Sequence, residues 1–370
     1  MVAFVDLPEF DLESLLQGDV ESLSRLDTVC RQYGFFILRN HNLGDLDAAL
    51  TSMETFFAYP ASEKLSVKRT ETNPFGYNDC ELTKQKKDNK EIFDIGPIST
   101  DDSEDSAQHN QWPTGRDDFK ERMSAYYSEC EALSLQLVDI LCKNLGAEPS
   151  TLLKIQSDFV DNSSYLRLNY MPPCPFPAPP NAPSDFDEST WGRLSVGRHT
   201  DAGSVTILLQ DGVPGLQIKV PGNHSLPATD KGGDGDGDLA SVFAVDKDSN
   251  DRDTIGEAQG EYIWVNVRTR RGDVVINIGD VVQVWSNAKY IAPEHRVIAN
   301  ATHNRYSMPF FLNPSYSTCF EPILGVDNKE RPLYHSISWQ EFRDRRAAGD
   351  YKVETGVTQE VQITDWLIGC

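Results

Sequence analysis

The sequence has few basic residues and lacks the features of membrane-spanning chains. Its 370 residues include 34 Lys and Arg against 57 Asp and Glu, a formal net charge of −23 at pH 7. This balance disfavours binding to nucleic acid and to anionic membranes. No apolar run reaches the roughly 18 residues that a membrane-spanning helix needs. The sequence therefore predicts a globular protein with no nucleic-acid or membrane partner.

Cysteine is scarce, and its spacing shows no pairing. The seven cysteines are scattered without a CxxC pair, and their number is odd. The first residues, MVAFVDLPEFDLES, are acidic and contain neither a basic start nor a long apolar segment. These features predict reduced thiols and a cytoplasmic protein.

The residue pattern divides the chain into a mixed first part and a β-rich second part. SLSRLDTVCRQYG has apolar residues at helical spacing, FFILRNH (35–41) is typical of a strand, and 119–145 predicts a long amphipathic helix. From about residue 163, turn residues separate short apolar runs. These runs are SYLRLNYM, SVTILLQ, GLQIKV, EYIWVNV, DVVINIG, VVQVWSN, HRVIA and RYSMPFFLN.

Repeated short strands of this kind predict a barrel or a double-sheet jelly roll. The expected fold class is α+β with a mainly β core, flanked by helices at the N-terminus and near 338–348. We expect three regions: helices and strands in 1–150, the β core in 151–325, and a C-terminal helical segment in 326–370.

A long acidic insertion, residues 221–260, separates two of the predicted strands. Its many Gly and Asp residues predict a solvated extension of a hairpin. Within it, DKDSNDRDTIGE places acidic residues at several positions of a calcium-binding loop. However, Asp251 stands where such a loop requires Gly, and no helices flank it, so we expect no calcium site.

The stretch GRHTDAGSVTILLQD (197–211) places His199 two positions before Asp201, where a strand is expected to begin. The simpler explanation is a turn, in which Asp201 bends the backbone. Alternatively, residues i and i+2 of one strand point to the same side, so both side chains could bind one metal ion. A third ligand would then have to come from elsewhere in the chain.

Among the seven histidines, His295 is the best candidate for this third ligand. It opens the apolar run HRVIAN in the β-rich half, whereas His109 and His224 lie in polar segments. Two histidines and one carboxylate leave coordination positions open on Fe(II), as in non-haem iron oxygenases. The lack of a cysteine ligand argues against a structural zinc site. A chance His-x-Asp pair remains an alternative at this point.

Arg305 and Ser307 form a second pair that predicts a carboxylate-binding site. They lie two positions apart, ten residues after His295, and face the same side of the next predicted strand. A guanidinium and a hydroxyl together give a charge-assisted, directional grip on a buried carboxylate. The alternative is a surface salt bridge of Arg305, which the apolar neighbours Met308 and Phe310 disfavour.

His199-x-Asp201, His295 and Arg305-x-Ser307, in this order and spacing, resemble the iron(II)- and 2-oxoglutarate-dependent dioxygenases of the isopenicillin N synthase-like group. This family implies a distorted double-stranded β-helix with iron held by the two histidines and the aspartate. The likeness covers most of the chain. It includes the segments CRQYGFFILRNHNL, METFFAYPASEKL, FGYNDCE…KEIFDIG, HTDAGSVTILLQDGVPGLQI, INIGDVVQVWSNAKYIAPEHRV and RYSMPFFLNP.

The resemblance also implies the reaction. 2-Oxoglutarate would chelate the iron, and its far carboxylate would bind Arg305 and Ser307, while O2 would take the remaining position. Decarboxylation would yield succinate and CO2, and an iron(IV)-oxo species would abstract a substrate hydrogen. The expected result is hydroxylation, desaturation or ring closure of a small molecule in specialised-metabolite biosynthesis. An amino-acid-derived substrate is one option; a monomeric enzyme and ascorbate as reductant in vitro are also expected.

One motif departs from the family pattern. Many relatives carry Asn-x-Tyr-Pro before the His-x-Asp strand, whereas this sequence has Asn169-Tyr170-Met171-Pro172. Asn169 and Tyr170 are candidate 2-oxoglutarate contacts, with Tyr170 acting from a shifted strand. Alternatively, Tyr170 is a barrel-strand aromatic residue that faces the other side.

Two other functions remain open from the sequence. A ring-forming oxidase that uses no 2-oxoglutarate would have the same metal ligands, with the Arg-Ser pair binding a substrate carboxylate. Succinate release on adding 2-oxoglutarate would separate these two enzymes. The third function is a non-catalytic β-helix protein that binds a ligand or partner. Burial of two imidazoles and a carboxylate without a metal would be costly and argues against it.

Overall fold

The computed structural model of the chain describes residues 4–83, 86–98, 109–174, 194–221, 262–324, 330–351 and 361–369. Of the acidic insertion predicted at 221–260, only Pro221 is among these residues. The candidate calcium loop and His224 therefore lie outside them.

The first part of the chain alternates short strands and helices, in agreement with its mixed pattern. Its elements are β1 (Phe4–Val5), β2 (Glu9–Asp11), α1 (Leu12–Leu16), α2 (Val20–Gln32), β3 (Phe35–Arg39), α3 (Leu46–Phe57), α4 (Ala61–Ser66), β4 (Gly76–Asn78), β5 (Leu82–Thr83), β6 (Lys86–Lys87), β7 (Glu91–Ile95), α5 (Asp117–Asn144) and α6 (Pro149–Ser157). The long helix predicted over 119–145 is confirmed as α5. α2 ends before Gly34, which has a φ of 63° in the left-handed region that favours glycine.

The second part of the chain consists mainly of strands. Its elements are β8 (Tyr165–Met171), β9 (Leu194–His199), β10 (Val205–Gln210), β11 (Leu216–Pro221), β12 (Tyr262–Val267), β13 (Val274–Ile278), α7 (Asp280–Trp285), β14 (His295–Ile298), β15 (Arg305–Leu312), β16 (Cys319–Phe320), β17 (Ile337–Ser338), α8 (Trp339–Tyr351) and a 3-10 helix (Ile363–Trp366). All the predicted strands except one are present, and the helix predicted near 338–348 is confirmed as α8.

The exception is VVQVWSN, which was predicted as a strand and forms α7. All six residues of α7 are buried, the polar Asp280 and Gln283 included, and a short run that is buried throughout has no period to distinguish a helix from a strand. The backbone N–H groups of Asp280 and Val281 donate to the carbonyl oxygens of Asp201 and Gly203. The start of this run is therefore anchored on the bend that follows β9.

Two sheets form the jelly roll. The larger has eight strands in the order β2-β3-β13-β10-β15-β8-β7-β4, and the smaller has five in the order β1-β12-β11-β14-β9. β3 pairs with β13 and β7 pairs with β8, so the first part of the chain supplies strands beside the later ones. The three-region division of the chain stays a prediction.

Apolar residues of both sheets pack together between them. Phe35 and Val275 of the eight-stranded sheet belong to the same buried cluster as Ile218 and Val265 of the five-stranded sheet. The helices α2, α3 and α5 contribute to a second, larger cluster, in which Phe56 of α3 stacks on Phe119 of α5 with ring centroids 5.0 Å apart. Within the described parts of the chain, no helix combines the length and apolar character that crossing a bilayer requires.

Candidate active site

His199, Asp201 and His295 meet at the ends of two neighbouring strands. His199 is the last residue of β9, His295 is the first of β14, and the two residues are paired across these antiparallel strands. Asp201 Oδ1 lies 3.5 Å from His199 Nε2 and 3.7 Å from His295 Nε2. The candidate ligand atoms of all three side chains lie within 4.8 Å of one another.

The same-strand explanation for the His-x-Asp pair is wrong. His199 ends β9, whereas Asp201 lies in the bend before β10, so the two do not share a strand face. The bend returns the carboxylate towards the imidazole, so the turn and the candidate metal site are features of one segment. His295 joins them through the pairing of β9 with β14, which brings together residues almost a hundred positions apart in the sequence.

Both imidazoles are oriented in the same way. His199 Nδ1 lies 2.8 Å from the carbonyl oxygen of Gly197, and His295 Nδ1 lies 3.1 Å from that of Pro293. Because a carbonyl oxygen can only accept, each Nδ1 carries the proton and each Nε2 keeps its lone pair towards Asp201. Burial lowers the pKa of His199 well below its usual range, and the neighbouring His295 lowers it further. The His199 imidazole is therefore neutral at pH 7.

The carboxylate of Asp201 has one oxygen occupied and one directed at the imidazoles. Its Oδ2 accepts hydrogen bonds from Thr206 Oγ1 at 2.6 Å and from Asn277 Nδ2 at 2.8 Å. Although burial opposes ionisation, the two histidines and these two donors hold the pKa of Asp201 below its usual value. The group is thus an ionised carboxylate beside two imidazoles, a donor set that suits non-haem Fe(II).

No second candidate metal centre was found in the residues that the structure describes. The His-Asp-His group is the only set of three or more His, Cys, Asp or Glu side chains there whose ligand atoms are close enough to hold an ion. The sequence had singled out the same three residues.

Arg305 is a buried guanidinium surrounded by uncharged groups. Its side chain is almost fully buried, with 1% of the residue exposed. Its nitrogens donate to Ser307 Oγ at 3.3 Å, to Met171 Sδ at 3.1 Å, to the Val213 carbonyl oxygen at 3.3 Å and to Gln210 Oε1. Among the described residues it has no ion-pair partner. The surface salt bridge considered as an alternative for Arg305 is therefore absent there.

The charge of Arg305 persists in spite of its burial. Burial lowers the pKa of Arg305 to about 10, with the more distant carboxylate of Asp211 opposing the shift, so the guanidinium is charged at pH 7. The oxygens of Asp211 accept the backbone N–H groups of Val213 and Tyr306 at 2.9 and 2.6 Å. A buried cation without a counterion is costly, and a ligand carboxylate would supply that counterion.

Two further polar atoms in this region have no hydrogen-bond partner among the residues that the structure describes. Ser307 pairs with Gln210 of β10 on one side and with Asn169 of β8 on the other, so these three side chains share a face. Gln210 Nε2 and Asn169 Oδ1 are both buried and unpaired. Buried polar atoms are normally hydrogen-bonded. The guanidinium of Arg305 and the unpaired donor of Gln210 together fit an anionic ligand, whereas Asn169 Oδ1 can only accept.

Tyr170 is not part of this group. It pairs with Tyr306, between the pair Arg305–Met171 and the pair Ser307–Asn169, so it lies on the opposite face of the sheet. Its ring stacks on that of Tyr306 with centroids 5.2 Å apart. Its hydroxyl donates to Asn304 Oδ1 at 3.2 Å. No register shift occurs between β8 and β15, so Tyr170 faces away from Arg305, as the alternative explanation had it. Met171 occupies the inward position instead.

A wall of paired charged side chains lies on and beside β7 and β8. Arg167 of β8 donates to both oxygens of Asp94 at 2.7 Å, and its Nη1 lies 3.3 Å from Glu81. Lys90, just before β7, pairs with Asp88 at 3.0 Å. The positive charge of Lys90 helps to lower the pKa of His199, so it acts on the candidate metal site. This wall is polar and charged.

The sequence analysis missed several residues that contact Asp201 or Arg305. Thr206 and Gln210 are polar residues four positions apart on one face of the otherwise apolar β10, and Asn277 is a polar residue within the apolar β13. A polar side chain in a buried strand is a usable signal, because such residues are seldom buried without a partner. Met171 gave no comparable signal.

Two protein-family models match the chain. The model described as "non-haem dioxygenase in morphine synthesis N-terminal" matches residues 5–115. The model of the 2OG-Fe(II) oxygenase superfamily matches residues 162–234 and 224–314. The second match includes all the candidate metal and carboxylate-binding residues.

Individual proteins of known identity are also similar to the chain. Feruloyl CoA ortho-hydroxylase 2 of Arabidopsis thaliana is 30% identical over 347 residues, which cover 91% of this chain and 78% of the relative. Jasmonate-induced oxygenase 1 of the same organism is 28% identical over 351 residues, covering 92% and 72%. The crystal structure of JOX2 in complex with 2OG, Fe and JA has a TM-score of 0.67 at 25% identity, covering 99% of this chain and 90% of that one.

Proposed function

The chain belongs to the 2OG-Fe(II) oxygenase superfamily, and from this premise we propose that His199, Asp201 and His295 bind its Fe(II). We further propose that Arg305 and Ser307 bind the far carboxylate of 2-oxoglutarate. The chain is an oxidoreductase that uses Fe(II), 2-oxoglutarate and O2 to oxidise a small molecule. When bound, these groups supply the oxidising power that breaks a substrate C–H bond.

The proposal for the metal depends on one observation above all, the convergence of three prepared donor atoms. Each imidazole uses Nδ1 on a backbone carbonyl oxygen, and Asp201 uses Oδ2 on two side-chain donors. The atoms left over are the two Nε2 atoms and Oδ1, which face one another. Such supporting hydrogen bonds fix the tautomer and the direction of metal ligands.

The proposal for 2-oxoglutarate is supported by the groups around Arg305 that could still donate hydrogen bonds to a ligand. A carboxylate placed there would neutralise the buried guanidinium and accept from the Ser307 hydroxyl and the unpaired Nε2 of Gln210. We include Asn169 among the proposed contacts, because its amide lies beside Ser307 and its Nδ2 can donate to a carboxylate. Tyr170 is left out, because its side chain faces the other side of β8.

These residues have separate tasks in the reaction. Because their pKa values are lowered, His199 is neutral and Asp201 is ionised at pH 7, so neither has to lose a proton before a divalent ion binds. Arg305 anchors one end of the cosubstrate, which fixes the distance from that end to the three ligands. The buried walls between the two sheets exclude bulk water and stray reductants.

We place the reaction in specialised metabolism, in line with the activities for which the relatives are named. Those relatives include hydroxylases of feruloyl CoA and gibberellin dioxygenases. The charged wall formed by Arg167 and Lys90 favours a substrate with a polar group. An amino-acid-derived substrate has no counterpart among these named relatives and stays a prediction.

The test is the release of succinate from 2-oxoglutarate with Fe(II), O2 and ascorbate. We expect His295→Ala to abolish succinate release, because one of three ligands is lost, with little change in the circular dichroism spectrum. The matched control is His303→Ala, which removes an exposed histidine near β15. Oxygen consumption without 2-oxoglutarate would favour the ring-forming oxidase. Unchanged succinate release by His295→Ala would contradict the ligand assignment.

We also propose that the enzyme works as a monomer in the cytoplasm. The support for this location is that the six cysteines among the described residues are all free, as in a reducing compartment. Size-exclusion chromatography with light scattering would measure the mass in solution. A mass near twice the 41.4 kDa of one chain would contradict the monomer.

A further inference from the structure

Arg346 of α8 reaches the bend that carries the proposed metal ligands. Its Nη2 donates to the carbonyl oxygen of Thr200 at 2.8 Å, and its Nη1 donates to Thr200 Oγ1 at 3.2 Å. Thr200 is the single residue between His199 and Asp201. The C-terminal helix is therefore bonded directly to the chain segment that sets the spacing of two proposed ligands.

Asp280 connects Arg346 to the same bend by a second route. The Asp280 carboxylate accepts from Arg346 Nη1 at 2.5 Å and from Thr200 Oγ1 at 3.3 Å. The backbone N–H of Asp280 donates to the carbonyl oxygen of Asp201 at 2.8 Å. Asp280 is 1% exposed, so these bonds are shielded from water. Two helices, α7 and α8, thus hold the bend from separate positions.

Arg346 does more than neutralise a buried carboxylate. Of its three hydrogen bonds to described residues, two go to Thr200, including one to the backbone. Neutralising Asp280 would require only the ion pair. The neighbouring arginine on the same helix, Arg345, instead packs over Trp366 at 4.4 Å and lies 3.7 Å from Glu341, with nearly half of its side chain exposed.

We propose that Arg346 is a positioning residue of the metal centre, which fixes the separation of His199 and Asp201 by holding Thr200 between them. The inference rests on the proposed function, because it requires that these two residues and His295 are the metal ligands. Docking of α8 and metal binding are then coupled, and the coupling is reciprocal. The C-terminal segment contributes to the metal site in this way without supplying a ligand.

The test is a titration of the metal-free protein with Co(II), followed by its absorption in the visible range. We expect Arg346→Met to weaken Co(II) binding about 10-fold or more, the usual effect of removing a group that orients a ligand. Arg345→Met is the matched control, and we expect it to bind Co(II) as the unaltered protein does. Wild-type affinity in Arg346→Met would overturn the inference.

A second variant separates positioning from a general loss of stability. Arg346→Met leaves the Asp280 carboxylate buried without its partner, which by itself destabilises a protein. The double variant Asp280→Asn with Arg346→Met removes that charge but does not restore the bonds to Thr200. We expect its thermal unfolding temperature to return towards that of the unaltered protein while Co(II) binding stays weak. Recovery of Co(II) affinity together with stability would show a purely structural role and overturn the inference.

The same titration of His295→Ala separates this inference from the proposed function. Loss of Co(II) binding in His295→Ala with normal binding in Arg346→Met would overturn the positioning role alone. Normal Co(II) binding in His295→Ala would overturn the ligand assignment, and the positioning role with it. Weak binding in both variants, with Arg345→Met unaffected, is the expected result.

Discussion

The two ends of the candidate site differ in how completely their polar atoms are paired. At the metal end, formed by β9, the bend that follows it and β14, every proposed ligand side chain has its second polar atom hydrogen-bonded. At the carboxylate end, on the eight-stranded sheet, Arg305 has no counterion and Gln210 Nε2 and Asn169 Oδ1 have no hydrogen-bond partner among the described residues. The fold alone therefore orients the side chains of the metal end, whereas at the carboxylate end Arg305 and Gln210 keep polar atoms free for the ligand that we propose.

The largest effect is expected at the carboxylate end, from Arg305→Met. Losing a buried, charge-assisted contact costs about 2–5 kcal/mol of binding free energy, so the KM for 2-oxoglutarate should rise by one to several orders of magnitude. Succinate formation measured against 2-oxoglutarate concentration checks this. Arg268→Met, which alters an exposed arginine just after β12, is the control. An unchanged KM in Arg305→Met would show that the cosubstrate binds elsewhere.

A smaller effect is expected at the metal end, from Thr206→Val. This change keeps the shape of the side chain but removes the hydroxyl that donates to Asp201 Oδ2 at 2.6 Å. The dissociation constant for Co(II) should rise about 10-fold, and the KM for 2-oxoglutarate should change less. Thr55→Val, on the exposed side of α3, serves as the control. A change in KM alone would contradict the separation of the two ends.

The pH dependence of stability should also distinguish the two ends. Burial lowers the pKa of His199. In the metal-free protein its contribution to stability is therefore fully present above about pH 6.5, where the imidazole of His199 is neutral in the unfolded chain as well. Below that pH the unfolded chain binds the proton and the folded one does not, so stability falls by up to about 1.4 kcal/mol per pH unit. Arg305, with a pKa of about 10, stays charged throughout and adds no such slope.

Urea unfolding at pH 7.5, 6.5 and 5.5 measures this slope. We expect His199→Gln to reduce the loss of unfolding free energy between pH 6.5 and 5.5, and Arg305→Met to leave it unchanged. Burial raises the pKa of Asp280 to about 6, which makes the unfolding free energy depend on pH with the opposite sign. The quantity to compare is therefore the difference in slope between each variant and the unaltered protein. An identical slope in His199→Gln would contradict the lowered pKa.

The smallest effect is expected from Tyr170→Phe. The hydroxyl that it removes contacts Asn304 at the surface and does not face Arg305. The KM for 2-oxoglutarate should stay within about twofold of the unaltered value, as for a surface substitution. A rise of tenfold or more would show that Tyr170 does contact the cosubstrate, as the sequence motif suggested.

Sequence patterns succeeded where one local rule is sufficient. Alternation and turn residues identified most strands of the two sheets, and helical spacing identified α5. They failed at α7, because a short run that is buried on every side has no period. They also failed on the relation of His199 to Asp201, where a bend rather than a strand brings the side chains together.

The sequence by itself determined which side chains are available, since two imidazoles, a carboxylate and an Arg-Ser pair have metal- and carboxylate-binding chemistry in any fold. Tertiary structure decided which of their atoms point into the site. The free oxygen of Asp201 and the hydrogen bonds of Arg305 depend on neighbours from other strands, whereas the ring orientations of His199 and His295 are set by carbonyl oxygens two residues earlier in the chain. The physical reason is that a hydrogen bond acts over about 3 Å, and only folding brings distant residues that close.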